Sequence, residues 1–429
     1  MSTWKNYIRA KIMKAFGHSL VAIGLVYGAS AQTLTLEQCY TLARDHYPVV
    51  KQLALIEKTR DYTVSNAAKG TLPQLSVGGQ ATYQSAVTGL PIEIPGMKVP
   101  TVSKDQYKIF GEVNQSLTDG PLVSQQKEMA RANATTETQK IEVELYKLRE
   151  RINQLFFGLL LLDAQIQQTE LLKNDIRVGL NKTQAAITNG TALKSNADIL
   201  NAELLKADQR SIELHASRHS YGDMLALLID QPVDESTALE TPAVPELSSE
   251  VTRPELGLFE VQQRSFDVQN RLLSTRTSPR LSVFAQGGYG RPALNMLSNT
   301  FDFYVLGGVR LNWNLGAFYT LKNDRELLTI NRNIVDIQRE TFLLNTHISM
   351  KQQSRELSKY QALIDTDARI IALREQVKTT ANAQLEFGTL TVNDYLTYLN
   401  AEDQARQNLL LHRIQLLMAQ YGYAVTVGF

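Results

Sequence analysis

The sequence carries the same series of signals twice, which restricts the fold to a duplicated unit. A strand-like segment at 73–83 recurs at 279–289, 206 residues further on, and six of its eleven positions are identical. Two prolines recur at the same offset, Pro48 and Pro73 being matched by Pro254 and Pro279. Beyond the strands the offset falls to 198, at Asn114, Leu117, Gly190 and Thr191, matched by Asn312, Leu315, Gly388 and Thr389. The difference of eight residues falls between the two strands of the first copy.

The composition argues against two broad classes of protein. No run of about twenty apolar residues follows the N-terminal region, so no helix is expected to cross a membrane. The chain has 44 basic and 43 acidic residues, which gives a net charge of +1. No global positive field therefore indicates nucleic acid as a partner.

Residues 1–31 are predicted to be a secretory signal peptide. Four basic residues precede an apolar stretch at 15–27, and Ala-Ser-Ala at 29–31 predicts cleavage between Ala31 and Gln32. Either Met1 or Met13 can be the start, because the segment from residue 14 onward already forms a compact signal. In an exported chain the single cysteine, Cys39, has no disulfide partner, and it is predicted to be a small buried apolar residue.

Each copy is predicted to contain a helix, two strands, one very long helix, a turn and a return helix, so the fold class is mixed α and β. The first copy, 32–253, is expected to hold strands at about 72–84 and 106–118, a long helix at about 119–188, a return helix at about 192–230 and a linker at 231–253. The second copy, 254–429, is expected to hold strands at about 279–290 and 301–315, a long helix at about 317–386, a return helix at about 390–421 and a C-terminal tail.

The four predicted strands alternate apolar and polar residues, which is typical of the wall of a membrane β-barrel. In the segment 301–315, for example, Phe303, Val305 and Val309 alternate with polar residues. The polar face is expected to line a lumen with Lys108, Glu112, Asp302 and Arg310. An ordinary half-buried sheet remains the alternative.

The predicted long helices lack the residues that normally interrupt helices. From residue 317 to 387 there is neither proline nor glycine, and a helix of that length would measure about 100 Å. Each long helix is expected to end at a turn, Asn189-Gly190-Thr191 in the first copy and Phe387-Gly388-Thr389 in the second, because glycine supplies the left-handed conformation that ends a helix.

Four strands are too few to close a barrel, and an open sheet in lipid would leave its edge groups unpaired. The chain is therefore expected to assemble with copies of itself. A dimer would provide about eight strands and a trimer about twelve, and strand counting alone permits either.

Over the whole predicted mature chain the sequence resembles the TolC family of outer-membrane efflux proteins. The resemblance is carried by the segment 35–43 followed by Pro48, the Leu-Pro-x-Leu-Ser sequence at 72–76, the Arg-Pro-Glu-Leu sequence at 253–256, and Gly388-Thr389 followed by Asp394. It implies a homotrimer with a twelve-stranded β-barrel in the outer-membrane lipid and a coiled-coil α-barrel extending into the periplasm. The two glycine turns would form the periplasmic tip.

The resemblance also implies passive conduction. An inner-membrane transporter would supply the energy, a periplasmic adaptor (membrane fusion) protein would dock on the tip, and this protein would be the exit for drugs, metals or polypeptides. Asp394 matches an acidic position that rings the periplasmic aperture in the family, and Asp198 is its nearest counterpart in the first copy. An acidic residue in the first turn of a helix is the plainer interpretation of Asp394. The family pattern is missing at Leu390, where a basic residue is expected, and at Thr397, where a second acid is expected.

Other functions stay open at this point. A type I protein secretion channel would have the same architecture, whereas a periplasmic adaptor would show one hairpin between small β-domains and a structural coiled coil would lack the alternating strands. An enzyme is not expected, because no nucleophile with a paired base can be identified, and no cofactor is expected. His215 and His219 have the spacing of a metal pair, but no third ligand follows at a typical spacing, so they are predicted to face solvent.

Overall fold

The computed structural model describes residues 33–88 and 102–429. The predicted signal peptide, its cleavage site at Ala31 and Gln32, and much of the loop between the first two strands lie outside these residues.

The described residues form eight α-helices and four strands. The helices are α1 Leu36–His46, α2 Lys51–Lys69, α3 Gly120–Tyr146, α4 Leu148–Thr188, α5 Lys194–Ile229, α6 Pro254–Thr275, α7 Ala317–Glu386 and α8 Val392–Val427. The strands are β1 Gln74–Tyr83, β2 Asp105–Ser116, β3 Arg280–Arg291 and β4 Asp302–Asn312. A single 3-10 turn, Pro48–Val50, joins α1 to α2. None of the described helices contains a stretch that is long and apolar enough to cross a bilayer.

Local signals account for several helix ends. Thr35 and Gln38 form a capping box at the start of α1, in which each side chain accepts a hydrogen bond from the other residue's backbone N–H. Pro254 begins α6, where its missing N–H leaves no hydrogen bond unmade. The 70 residues of α7 run without a break, as expected for a segment free of proline and glycine.

Three predicted boundaries differ from the observed ones. The long helix expected at 119–188 is interrupted at Lys147, next to Tyr146, whose hydroxyl donates a hydrogen bond to Val425 O at 2.7 Å. The last helix passes the predicted end at 421 and stops at Gly428, which has a φ of 122°. The strand expected to reach 315 ends at Asn312, because its partner Arg280 is the first residue of β3. Contacts between distant segments accompany the first and third differences, whereas a glycine with a positive φ ends the last helix.

The four strands form one antiparallel sheet in the order β1-β2-β3-β4. Each strand is followed or preceded in the chain by one helix: α2 precedes β1, α3 follows β2, α6 precedes β3 and α7 follows β4. These helices contact one another in the same order, α2-α3-α6-α7. The sheet therefore continues into a helical layer in the same order, with β1 and α2 at one edge and β4 and α7 at the other.

Beyond this layer the structure continues as two helical hairpins, one formed by α4 and α5 and the other by α7 and α8. Helix α4 packs on α5, α8 packs on α7, and α4 contacts α8 between them, which gives the order α5-α4-α8-α7. Buried side chains from all four helices form a common core, which includes Leu172, Ile176, Leu200, Ala381 and Leu399. The two hairpins are therefore held side by side.

A second core surrounds the most apolar part of α4. Phe156, Phe157 and Leu159 are fully buried there, together with residues of α1 and the linker residue Val233. Leu34 forms a parallel bridge with Leu239 of the linker, and the Tyr421 hydroxyl donates a hydrogen bond to Ala243 O at 2.8 Å. The apolar run at 155–162 is thus covered by α1, the linker and α8.

Cys39 lies in this second core and is fully buried. Burial raises the pKa of its thiol to about 12. At pH 8 only about one thiol in ten thousand would then be the reactive thiolate. We expect no reaction with Ellman's reagent over minutes in the folded protein, and one equivalent per chain in denaturant. Rapid labelling of the folded protein would contradict this placement of α1.

Candidate functional site

The two faces of the sheet differ sharply in chemistry. The odd-numbered positions of the strands form one face of the sheet and carry apolar side chains. Phe303, for example, is 80% exposed. The same face carries Leu75, Val77, Ile109, Val113, Val283, Val305, Val309 and Leu311, all exposed. An exposed apolar surface of this extent indicates a membrane or another protein as its environment.

The even-numbered face carries the four predicted lumen residues. Arg310 forms an ion pair with Glu112, its Nη1 atom lying 2.9 Å from Oε1, although the two residues are on strands that are not adjacent. Lys108 of β2 and Asp302 of β4 lie in one row across the sheet, on either side of Gly290 of β3. The structure therefore brings all four side chains to one polar surface.

Both edges of the described molecule have exposed apolar stripes. Along α7, Ile330, Ile334, Ile337 and Leu344 follow a three- and four-residue spacing and are exposed. At the opposite edge of the same layer, α2 has no buried residue along its described length and exposes Leu55 and Tyr62. Stripes with this spacing are typical of helices that pack against another helix.

The hairpin ends have nearly identical geometry. Gly190 and Gly388 have φ values of 74° and 69°, which favour glycine. In each turn the glycine N–H and the threonine N–H donate to carbonyl oxygens of the preceding helix, in the pattern of a Schellman motif. Lys182 of α4 forms an ion pair with Glu386 of α7 at 2.7 Å, so the two turns lie at the same end of the molecule. Phe387 is 81% exposed and Leu193 is also exposed, which leaves apolar side chains at the tip.

The two candidate aperture residues have different surroundings. Asp394 is exposed in the first turn of α8, where its N–H donates to Thr391 Oγ1 at 3.1 Å and its carboxylate accepts from the same hydroxyl at 2.7 Å. Asp198 is exposed one turn into α5, which begins without a side-chain cap. Leu390, where the family pattern expects a basic residue, packs against the hairpin core. Thr391 is therefore the N-cap of α8, and Asp394 pairs with its hydroxyl while remaining open to solvent.

A buried charge network between the hairpins was missed by the sequence analysis. Glu402 of α8 is buried and contacts both Lys378 and Arg406, and Lys378 also reaches Asp175 of α4. Its neighbour Asp403 accepts a hydrogen bond from Gln168 at 2.9 Å, and burial raises the pKa of this carboxyl group. In sequence these residues look like an ordinary solvated helix face, so no pattern distinguished them.

The histidine pair contacts the linker. His215 Nδ1 lies 2.9 Å and His219 Nε2 3.1 Å from the same oxygen of Glu235. This glutamate lies 16 residues beyond His219 in the chain, a spacing that matches no local ligand motif. Within the described residues no group of three histidine, cysteine or acidic side chains has the geometry to hold a metal ion.

The comparisons with known proteins find similarity in structure. No protein-family model matches the sequence, and neither does any curated protein. The structure is similar to the outer membrane protein VceC of Vibrio cholerae, with a TM-score of 0.62 and 15% identity over 92% of this chain and 96% of the other.

Two further solved structures are similar to this protein to about the same extent. CusC, described for its transmembrane channel formation, has a TM-score of 0.66 and 13% identity over 92% of each chain. The outer membrane channel MtrE of Neisseria gonorrhoeae, in its open state, has a TM-score of 0.63 and 13% identity over 92% of this chain and 89% of the other. At these identities the similarity establishes the fold of the single chain, mostly helical with a small antiparallel sheet, and it confirms the sequence resemblance at the level of this fold.

Proposed function

We propose that this protein is the exit duct of a tripartite efflux system in the outer membrane. Three copies would close a twelve-stranded β-barrel, and their helices would continue it into the periplasm. Substrates would pass through the lumen passively, delivered by an inner-membrane transporter through a periplasmic adaptor. The observation that carries this proposal is an open antiparallel sheet with one exposed apolar face and one polar face, joined directly to a helical layer that is open at the same two edges.

The open edges explain why one chain is insufficient. Among the described residues, strands β1 and β4 are the outer strands of the sheet, and each pairs along one side only. In a bilayer each unpaired group costs several kcal/mol, so β4 of one copy would pair with β1 of the next. The rotation that relates neighbouring copies in this ring would also bring α7 of one copy against α2 of the next. A trimer would have about twelve strands and an open lumen, whereas the roughly eight strands of a dimer leave an interior that side chains fill.

The fold also separates this proposal from the other classes considered. A periplasmic adaptor would have one helical hairpin, whereas residues 33–88 and 102–429 contain two, together with a shared four-stranded sheet. A structural coiled coil would not contain a sheet with an exposed apolar face. The exit-duct and type I secretion functions share the same channel, and genes for the partner transporter would distinguish them.

The proposal is tested with the purified full-length protein. We expect it in outer-membrane fractions as a trimer that resists SDS until heated, and we expect discrete single-channel conductance in planar bilayers. A detergent-free monomer without conductance would overturn the proposal.

Replacing Asp394 with asparagine is expected to weaken block of the channel by divalent or trivalent cations added on the periplasmic side. Three copies would place three carboxylates around the aperture, and a ring of like charges attracts cations. Asparagine keeps an oxygen that can accept the Thr391 hydrogen bond, so the helix start is retained. The measurement is the half-blocking cation concentration in single-channel recordings.

Two control variants separate the aperture role from a structural one. Asp198→Asn tests the counterpart in the first hairpin, and Asp365→Asn removes an exposed carboxylate from the middle of α7. Cation block that is unchanged in Asp394→Asn would remove this residue from the aperture.

A further inference from the structure

One row across the sheet alternates glycine with aromatic residues. Gly78 of β1 is opposite Phe110 of β2, Phe110 is opposite Gly288 of β3, and Gly288 is opposite Tyr304 of β4. All four positions are even-numbered and belong to the polar face of the sheet. Aromatic rings on this face are unexpected, because the interior of a membrane barrel is ordinarily polar.

The rings lie flat on the sheet. A Cβ atom built on Gly78 would lie 2.8 Å from Phe110 Cζ and 2.9 Å from its Cε2. A Cβ atom on Gly288 would lie 2.7 Å from Tyr304 Cζ. Each ring therefore occupies the space that a side chain on the neighbouring strand would need, and the glycines are what allow the rings to lie against the wall.

The opposite face shows that this arrangement is specific to the polar side. Gly287 has open space where a Cβ atom would be, and Gly79 and Gly111 have only a backbone oxygen 3.9 Å away. On the polar face, by contrast, side chains of the neighbouring strands cover Gly78, Gly288, Gly290 and Gly308.

Phe110 is the ring of this row that remains accessible. Tyr304 is only 8% exposed, and its hydroxyl accepts a hydrogen bond from Gln286 at 3.4 Å. Phe110 is partly exposed. The charged residues two positions away along β2 are Lys108 and Glu112, and Glu112 is neutralised by Arg310. Asp302 lies in the same row across the sheet as Lys108, so the charges around Phe110 are balanced, Lys108 and Arg310 against Glu112 and Asp302.

We propose that Phe110 is a contact site for aromatic solutes in the lumen, and that Gly78 holds its ring flat so that the passage stays wide. This inference depends on the proposed exit duct, in which three copies of Phe110 would face one another at one level of the barrel. A ring face that lies in water offers an aromatic solute an edge-to-face or offset-stacked contact. The solutes favoured would be those with phenyl or larger aromatic groups.

The first test compares two blocking cations of similar size, tetraphenylphosphonium and tetrabutylammonium, in single-channel recordings. We expect tetraphenylphosphonium to block the wild-type channel at a concentration roughly two- to tenfold lower, the range expected for an aromatic pair. Phe110→Leu should remove this preference and leave the unitary conductance nearly unchanged. Phe303→Leu, on the outer face, is the matched control and should keep it.

The second test uses the glycine. Gly78→Ala adds a methyl group whose nearest contacts are the atoms of the Phe110 ring, so the ring must turn away from the wall into the lumen. We expect a lower unitary conductance, restored in the double variant Gly78→Ala/Phe110→Ala. Gly287→Ala is the control, because its added methyl group enters open space.

The outcomes separate this inference from the proposed function. Channels that show no preference between the two cations, or a preference that survives Phe110→Leu, would overturn the role of Phe110 and leave the exit duct intact. An unchanged conductance in Gly78→Ala would overturn the role of Gly78. A protein without any channels would contradict the exit duct itself.

Discussion

Replacing both Ile334 and Ile337 with aspartate is expected to abolish the proposed trimer. These residues belong to the exposed stripe of α7, and each has between 45% and 61% of its surface exposed in the single chain. In a closed ring the stripe would lie against α2 of the next copy, which has no buried residue along its described length. Full burial of one isoleucine contributes about 1.5–3 kcal/mol, and about half of each side chain is still exposed in the single chain, so the two substitutions remove about 1.5–3 kcal/mol per interface. They also place carboxylates in an apolar contact.

The measurement is the oligomeric state in detergent, by light scattering and by unheated SDS gels. Circular dichroism should show that the helices of the variant remain folded, because neither residue belongs to a buried core of the single chain. The matched control is Asn331→Asp/Gln338→Glu, which adds the same two charges at exposed positions of α7 about a quarter-turn away from the stripe. A double-aspartate variant that still forms trimers would show that α7 does not lie at a subunit contact.

Replacing Arg218 with alanine is expected to release the linker from α5. The Arg218 side chain is 4% exposed, and its Nε atom donates to Asp163 Oδ1 of α4 at 2.9 Å. Its other nitrogens donate to two backbone oxygens of the linker, Asp234 O and Thr237 O. The Asp163 side chain is 32% exposed and can be hydrated, so we expect the variant to lose about 1–3 kcal/mol, chiefly because the linker oxygens lose a buried hydrogen-bond donor.

Two measurements follow from this role. The melting temperature of the variant should fall, and a protease should cut within 230–253 at a concentration that leaves the wild type intact. Lys206→Ala on the same helix is the control, since its ion pair with Glu203 is exposed on the lysine side and should contribute less than about 1 kcal/mol. Wild-type protease resistance in Arg218→Ala would show that other contacts suffice to hold the linker.

Much of the site was predictable because it depends on short-range rules. The period-two alternation placed Lys108, Glu112, Asp302 and Arg310 on one face of the sheet, since successive side chains of a strand point to opposite sides. The glycines of the two hairpin turns were predictable because only glycine readily adopts a positive φ.

The residues that were missed depend on contacts between distant parts of the chain. Nothing in the sequence near Glu402 or Arg218 shows that these charges are buried, since a charged helix face in contact with solvent has the same local pattern. The alternation of Phe110 with two glycines is visible only when three strands are placed in register. The break at Lys147 has no proline or glycine to mark it.

The sequence by itself determined the duplicated order of elements, the two-faced strands and the turns that end the long helices. Each follows from the preferences of residues close together in the chain. Only the tertiary structure decided the strand register, which helices lie at the edges and which charges are buried. These depend on packing between segments far apart in the chain, 279 residues in the case of Tyr146 and Val425, and the local sequence pattern does not specify such contacts.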